Sequence, residues 1–376
     1  MENKVRNAGR IIAVISLLIL SSLMAGCGRD WTTTGDAISE GPIKIGFVGP
    51  LSGSQAPFGQ SEVEALTMEV EEINGNGGIS GRPIELIVED DRMDPATAVK
   101  AVKKLIESDE VVAIFGDLQS GCTMAIAPIA EQAKVPMVTP IATSPSVSDA
   151  GDYVFRTMPG TETQAELLAR ALTQRGFNKI AGICVDNEFG KRTYQQFKER
   201  YKGNLSVDEC HQQDENDFHT ILTKVQISDA QAIMLSSYPK DSGLFLRQAR
   251  EMNITLPIFG VETVGHKVAK DTAGDAFNGV YYTYPTTNTD PGFKKKFAER
   301  FNHEPEFGAD TAYDALGLIV EAIKGCGTEG KAIKDCLYTV GKGYKGVSGE
   351  ITFDSKGDVH RPATLYQVRN MTPIEV

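Results

Sequence analysis

No Cys or His spacing in this chain matches a zinc site, and its five histidines are scattered, so a metal centre is not expected. No Ser, Cys or Lys sits in a recognisable nucleophile elbow and no His is placed to serve one, which argues against hydrolytic chemistry. Gly190-Lys191 resembles the end of a phosphate loop, but the glycine required five residues earlier is replaced by Val185. Asp354-Ser355-Lys356-Gly357-Asp358 lacks calcium-loop spacing and reads as a turn. Basic charge is short as well: 38 Lys and Arg against 50 Asp and Glu give a net charge of −12, so nucleic acid is not expected as a partner. No cofactor is expected either, because the nucleotide fingerprint is missing.

What is present begins with an export signal. Lys4, Arg6 and Arg10 precede the apolar run Ile11 to Leu20, too short for a stable membrane span, and Leu23-Met24-Ala25-Gly26-Cys27 follows. Small residues before a cysteine read as a lipoprotein cleavage box, with Met24 a modest departure, so Cys27 is expected to be the acylated N-terminus. Cleavage removes three basic residues and one acid and leaves a mature charge of −14. Residues 1–26 are thus a signal peptide and 27–41 a polar tether. The expected location is the periplasm or the outer face of the cell membrane, with the membrane touched through the lipid anchor.

The remainder alternates strand and helix signals. Ile43–Val48 reads as a strand, and the loop after it leads through Phe58 and Gly59 into a helix. On that helix Val63, Leu66, Val70 and Ile73 form an apolar stripe, while Glu62, Glu69 and Glu72 lie off it. A second strand, Pro83–Val88, precedes Asp90-Asp91-Arg92-Met93-Asp94-Pro95. Three acids so close suit a divalent metal, but Asp94 before Pro95 is the usual cap and first position of a helix, and that reading is preferred. Strand signals follow at Val111–Phe115, Val135–Thr139 and Tyr153–Phe155, and Thr161 to Gln164 has a capping-box pattern. A second α/β series runs from Ile180 to Thr283, and helical segments near Phe293–Phe301, Ala309–Lys324 and Lys331–Val340 return to the first series. Glu350–Phe353 and Ala363–Val368 close the chain. The fold class is α/β, in two lobes.

The richest stretch is Val111 to Pro145, in which two strands each end in a loop of small hydroxyl and glycine residues that should open a helix. In a parallel sheet both loops leave at the carboxyl edge. Ser120, beside Cys122 and Thr123, and Thr143, beside Ser144, then converge with free amide N–H groups on a pocket suited to a carboxylate. The plainer alternative is that both hydroxyls merely cap helices. Of the five cysteines after Cys27, Cys326 and Cys336 bracket a Gly-rich turn and are one candidate disulfide. Cys184 and Cys210 lie on consecutive strands that a doubly wound order puts side by side and are another, leaving Cys122 over.

Several stretches together resemble the periplasmic amino-acid-binding proteins of the leucine/isoleucine/valine type, receptors of ABC importers. They are Ile45–Gly53 (IGFVGPLSG), Asn76–Arg82 (NGGISGR), Asp90–Pro95 (DDRMDP), Phe155-Arg156, Asp186–Gly190 (DNEFG), Leu246–Ala249, Ile258–Glu262 (IFGVE) and Tyr313-Asp314-Ala315. The resemblance runs from about residue 43 to the C-terminus. It implies the type I periplasmic-binding-protein fold, two Rossmann-like lobes joined by a three-segment hinge, with residues 42–159 and 285–355 in lobe 1 and 160–284 and 356–376 in lobe 2.

By residue match, the resemblance gives Ser120 and Thr143 to a ligand α-carboxylate. It gives the carbonyl of Ile141 and the side chain of Glu262 to an α-ammonium, with Tyr238 near the same group and Phe58 and Phe189 flanking the ligand. Gln119, next to Ser120, is counted with this ligand-binding set. Two departures stand out. Met93 and Gln119 occupy loops that some members join by a disulfide, and Gly308–Asp310 stands where some place an aromatic against the ligand side chain, implying a roomier or more polar pocket. The expected function is capture of an α-amino acid, branched-chain or otherwise aliphatic, for a membrane permease, without enzymatic turnover. A sensing receptor, or a binder of a non-amino-acid carboxylate or amide, remains the alternative.

Overall fold

Apolar residues that alternate with nothing polar form strands only when both faces are covered, and Ile43–Gly49 (β1) is such a strand, buried at every position but Lys44. The structure, a computed structural model, describes residues 41–286 and 289–376; the signal segment and Cys27 lie outside the described residues. After β1 come helix α1 (Ala56–Gly75), β2 (Ile84–Asp90), α2 (Pro95–Glu107), β3 (Ala113–Phe115), α3 (Ser120–Ala133), β4 (Met137–Thr139) and β5 (Val154–Arg156). These strands pair in parallel in the order β2-β1-β3-β4-β5. Asp94 does cap α2, its carboxylate accepting from Thr97 N–H at 2.7 Å with Pro95 at the first turn.

A second sheet takes α4 (Glu162–Gln174), β6 (Lys179–Val185), α5 (Glu188–Arg200), β7 (Asn204–His211), α6 (His219–Ile227), β8 (Ala232–Ser236), α7 (Pro239–Glu251), β9 (Ile258–Gly260), α8 (Lys267–Ala273) and β10 (Tyr281–Pro285). The chain then runs through α9 (Pro291–Phe301), α10 (Ala309–Cys326) and α11 (Gly330–Val340). A hairpin of β11 (Lys342–Gly346) and β12 (Gly349–Thr352) leads to β13 (Ala363–Arg369) and β14 (Thr372–Glu375). The second sheet has the order β14-β13-β10-β9-β8-β6-β7, with β13 antiparallel to both of its neighbours. Leu316, Ile319 and Ile323 of α10 share one hydrophobic core with Ile43, Ile45 and Phe47 of β1. The sheets are therefore linked by three stretches of chain, between β5 and α4, between β10 and α9, and between β12 and β13.

Cys184 and Cys210 are register partners on β6 and β7 and form a disulfide, and Cys326 is bonded to Cys336 between α10 and α11. Cys122 is free and buried.

Several local expectations give way to tertiary partners. The loop after β4 opens only a 3-10 turn, Pro145–Asp149, because Gly151, at φ +151°, turns the chain away within two residues. Thr161 does not cap α4. Its hydroxyl meets that of Thr193 on α5 at 2.8 Å, and Gln164 Oε1 instead accepts from Glu262 N–H and Thr283 Oγ1, both at 3.1 Å. Glu62 and Glu69, off the apolar stripe of α1, are nonetheless buried, because α10 and the loops of the sheet edge cover that side as well.

Candidate functional site

The carboxyl edges of the two sheets face a shared cavity lined by residues from both. Seven of the eight residues expected around a ligand line it: Phe58, Ser120, Ile141 and Thr143 from the first sheet's side, and Phe189, Tyr238 and Glu262 from the second. Gln119 does not. Its side-chain oxygen caps α3 by accepting from Cys122 N–H at 2.7 Å, which points it back into the helix start and away from the cavity.

Local structure sets each polar group. Ser120 is the first residue of α3, and its Oγ accepts from Ser144 N–H at 3.2 Å, so the two loops are tied together. Thr143 Oγ1 reaches across the cavity and donates to Glu262 Oε1 at 3.1 Å. Glu262 follows β9, one residue past Val261, at the start of a 3-10 turn. Its carboxyl group is buried, and its Oε2 has no hydrogen-bond partner among the described residues. Burial pushes its pKa above the usual glutamate value, against smaller lowering contributions from the hydrogen bonds around it. Tyr238 caps α7 by position, stacks on Phe189 with ring centroids 5.4 Å apart, and holds a buried hydroxyl without a partner among the described residues.

Phe58, Leu118, Ile141 and Phe307 pack together as an apolar stretch of the wall. Gly59 must be glycine for Phe58 to sit there, since a Cβ would run into the carbonyl of Pro50. Gly308, at φ +94°, lets Ile141 lie directly against the backbone. His266 completes this wall, its ring 4.8 Å from Phe58. Burial foremost, then the neighbouring Lys267, push its pKa down to about 4. Its Nδ1 accepts from Val268 N–H at 3.2 Å, so the neutral ring carries its proton on Nε2, 3.5 Å from Glu306.

Sequence reasoning missed Gln55, Leu118, Pro239, Thr263, His266 and Phe307, which also line the cavity. Phe307, one residue before Gly308–Asp310, brings an aromatic ring to this wall beside His266. Arg156 was quoted only as part of a motif, yet it holds the second loop in place. It is fully withdrawn from solvent, bonds Asp358 Oδ1 through Nε and Nη2 at 2.8 Å each, and donates from Nη1 to the carbonyl of Ser144 at 2.9 Å. Asp358 belongs to the third link between the sheets, so one guanidinium fastens the Thr143 loop to the hinge. No helix of the described residues is long and apolar enough to cross a membrane.

A family model described as periplasmic binding protein matches residues 42–372. The chain belongs to that family. It is 26% identical over 347 residues to the leucine-, isoleucine-, valine-, threonine- and alanine-binding protein of Pseudomonas aeruginosa, covering 87% of this chain and 92% of that one. Among solved structures it matches the branched-chain amino acid transporter substrate-binding protein LivJ of Streptococcus pneumoniae, in complex with isoleucine. That match has a TM-score of 0.80 at 28% identity, over 89% of this chain and 100% of the other. A solute-binding protein of Rhodopseudomonas palustris in complex with benzoate has the same fold, with a TM-score of 0.79 at 20% identity over 89% and 96% of the two chains. The two-lobed α/β architecture is thus the type I periplasmic-binding-protein fold. The family is one of solute-binding proteins, which function outside the cytoplasm.

Proposed function

We propose that this protein captures an α-amino acid with an aliphatic side chain and presents it to the membrane permease of an ABC importer. The observation that carries the reading is Glu262: a buried carboxyl group with one oxygen on Thr143 and the other unpartnered among the described residues, in a largely apolar cavity. A ligand ammonium is the group that such a carboxylate lacks. Ser120, Thr143 and the amide groups of their loops then take the α-carboxylate, the carbonyl of Ile141 assists at the ammonium, and Phe58, Ile141 and Phe307 receive the side chain. The relatives that bind branched-chain amino acids support the same ligand class.

Because Thr143 and Glu262 come from different sheets, a ligand bonded to both favours the closed arrangement of the lobes over the open one. The lobes are proposed to divide as residues 42–159 with 285–355, and 160–284 with 356–376. Cys27 is proposed as the lipid attachment point, which Cys27→Ser with fatty-acid labelling tests. A second reading is an aromatic or aliphatic carboxylate without an amine. It is favoured by the aromatic walls and by the raised pKa of Glu262, which keeps that group a neutral donor over a wider pH range. Calorimetric titration of the unfolded and refolded protein with the standard amino acids and their deaminated analogues separates the two. Binding of an aliphatic subset but not of its analogues supports the amino-acid reading. Binding only of plain carboxylates overturns it.

A further inference from the structure

Behind the first cleft loop lies a second concentration of charge that ligand recognition does not use. Asp91 stands one residue past β2 and Asp117 two past β3, on either side of β1, so the topology brings both to one sheet edge. Cys122, in the first turn of α3, joins them, and one donor atom from each of the three lies within 4.8 Å of the others. All three are buried. Each aspartate has one oxygen committed locally, Asp91 Oδ1 to Met93 N–H at 3.0 Å and Asp117 Oδ1 to Gln119 N–H at 2.6 Å. Each leaves Oδ2 without a partner among the described residues. Independently, α1 brings up Glu62, fully buried, with neither carboxylate oxygen partnered among the described residues. The charge that acts on Glu62 is that of Asp91, and Glu62 acts in turn on Asp117.

Three carboxylates removed from water, with four orphaned oxygens, are strongly unfavourable unless protons or a cation neutralise them. We propose that Asp91, Asp117 and Cys122 hold a thiophilic divalent cation of the Zn²⁺ type beneath the loop that carries Ser120, with the buried carboxylate of Glu62 as a neighbouring charge. A cation satisfies the orphaned lone pairs of Asp91 and Asp117 together and offsets the charge of Glu62, whereas a proton shared between Asp117 and Asp91 leaves both Glu62 oxygens without a partner among the described residues. The thiol favours Zn²⁺ over Ca²⁺ or Mg²⁺, which take oxygen donors, and three protein donors with a fourth position left for water suit the tetrahedral preference of zinc. On binding, the Cys122 thiol gives its proton to solvent and its sulfur bonds the metal as thiolate. The site is separate from the cavity and does not depend on which solute fills it.

The test uses chelator-stripped protein titrated with Zn²⁺ by calorimetry and with Co²⁺ as a chromophore. The expected result is one equivalent of either ion, proton release, and a sulfur-to-cobalt charge-transfer band. Cys122→Ser should lose the band, and Asp117→Asn should lose affinity by roughly tenfold or more. Cys122→Ser also separates this thiol from Cys27. Binding of Ca²⁺ or Mg²⁺ but not Zn²⁺, or a cobalt complex whose band survives Cys122→Ser, overturns the proposal. So does the absence of metal binding together with a stripped Asp117→Asn protein that melts higher than the unsubstituted one, since protons then neutralise the cluster.

Discussion

Thr143 Oγ1 and Glu262 Oε1 meet at 3.1 Å, a hydrogen bond between residues 119 apart in sequence and on opposite sides of the cleft. It joins the side chain proposed for a ligand carboxylate to the one proposed for a ligand ammonium. The two recognition groups are therefore already in register for the adjacent charged groups of an α-amino acid.

Thr143→Ala and Ser120→Ala should each weaken ligand binding by about 1–3 kcal/mol through loss of a charge-assisted hydrogen bond. Thr143→Ser should keep most of the affinity. Calorimetry checks this, and unchanged affinity in both alanine variants removes the carboxylate role.

Ligand affinity should depend on pH through Glu262. An ammonium binds the ionised carboxylate, and burial holds this group's pKa above the usual glutamate value, so acidification through that raised pKa protonates the site and weakens binding. Above it the affinity should level off. His266, with a pKa pushed down to about 4, stays neutral from pH 5 upward and contributes no such step. Titrations carried from neutral pH into the acid range should show the fall in the native protein and a flat profile in Glu262→Gln.

Stability should depend on pH through Asp241, whose pKa is pushed up to about 7 by burial and then by the charge of Asp214. The folded state keeps this proton where the unfolded chain, with a pKa near 3.8, has lost it. The folded state therefore binds more protons between those values, and stability falls as pH rises across that window. Relative to Asp241→Asn, the native protein should lose melting temperature from about pH 4 to about pH 7 and then run parallel. A constant difference between the two melting curves contradicts this.

Arg156→Met leaves Asp358 buried without its partner and should cost about 3–5 kcal/mol in denaturant unfolding, with affinity reduced as the Thr143 loop loses its anchor. The double variant Arg156→Met with Asp358→Leu should recover part of the stability but not the affinity. Recovery of both assigns Arg156 a purely structural role.

How far the fold was legible follows from where each residue's environment comes from. Ile43–Gly49 reads as a strand because its own residues are apolar on both faces, and Ser120 and Thr143 stand out as hydroxyls just past strands. Lys342–Gly346 (KGYKG) forms a strand that its glycines conceal, since only pairing with β12 holds it extended. Gln119 stays off the cavity lining because capping geometry, set by the helix start, ties its side-chain oxygen to Cys122 N–H. Glu62 lies off the apolar stripe of its helix, and its burial comes from segments distant in sequence. His266 and Phe307 carry no local signal at all, because they become neighbours of Phe58 only in the folded cleft.

The measurement that tests the central claim most directly compares native protein and Glu262→Gln against the bound amino acid and the same molecule without its amine. Ammonium recognition by Glu262 predicts a loss of about 2–5 kcal/mol for the amino acid, with the deaminated acid unchanged or improved. Equal losses for both ligands would contradict it, and Glu262 would then serve the closed cleft through Thr143 alone.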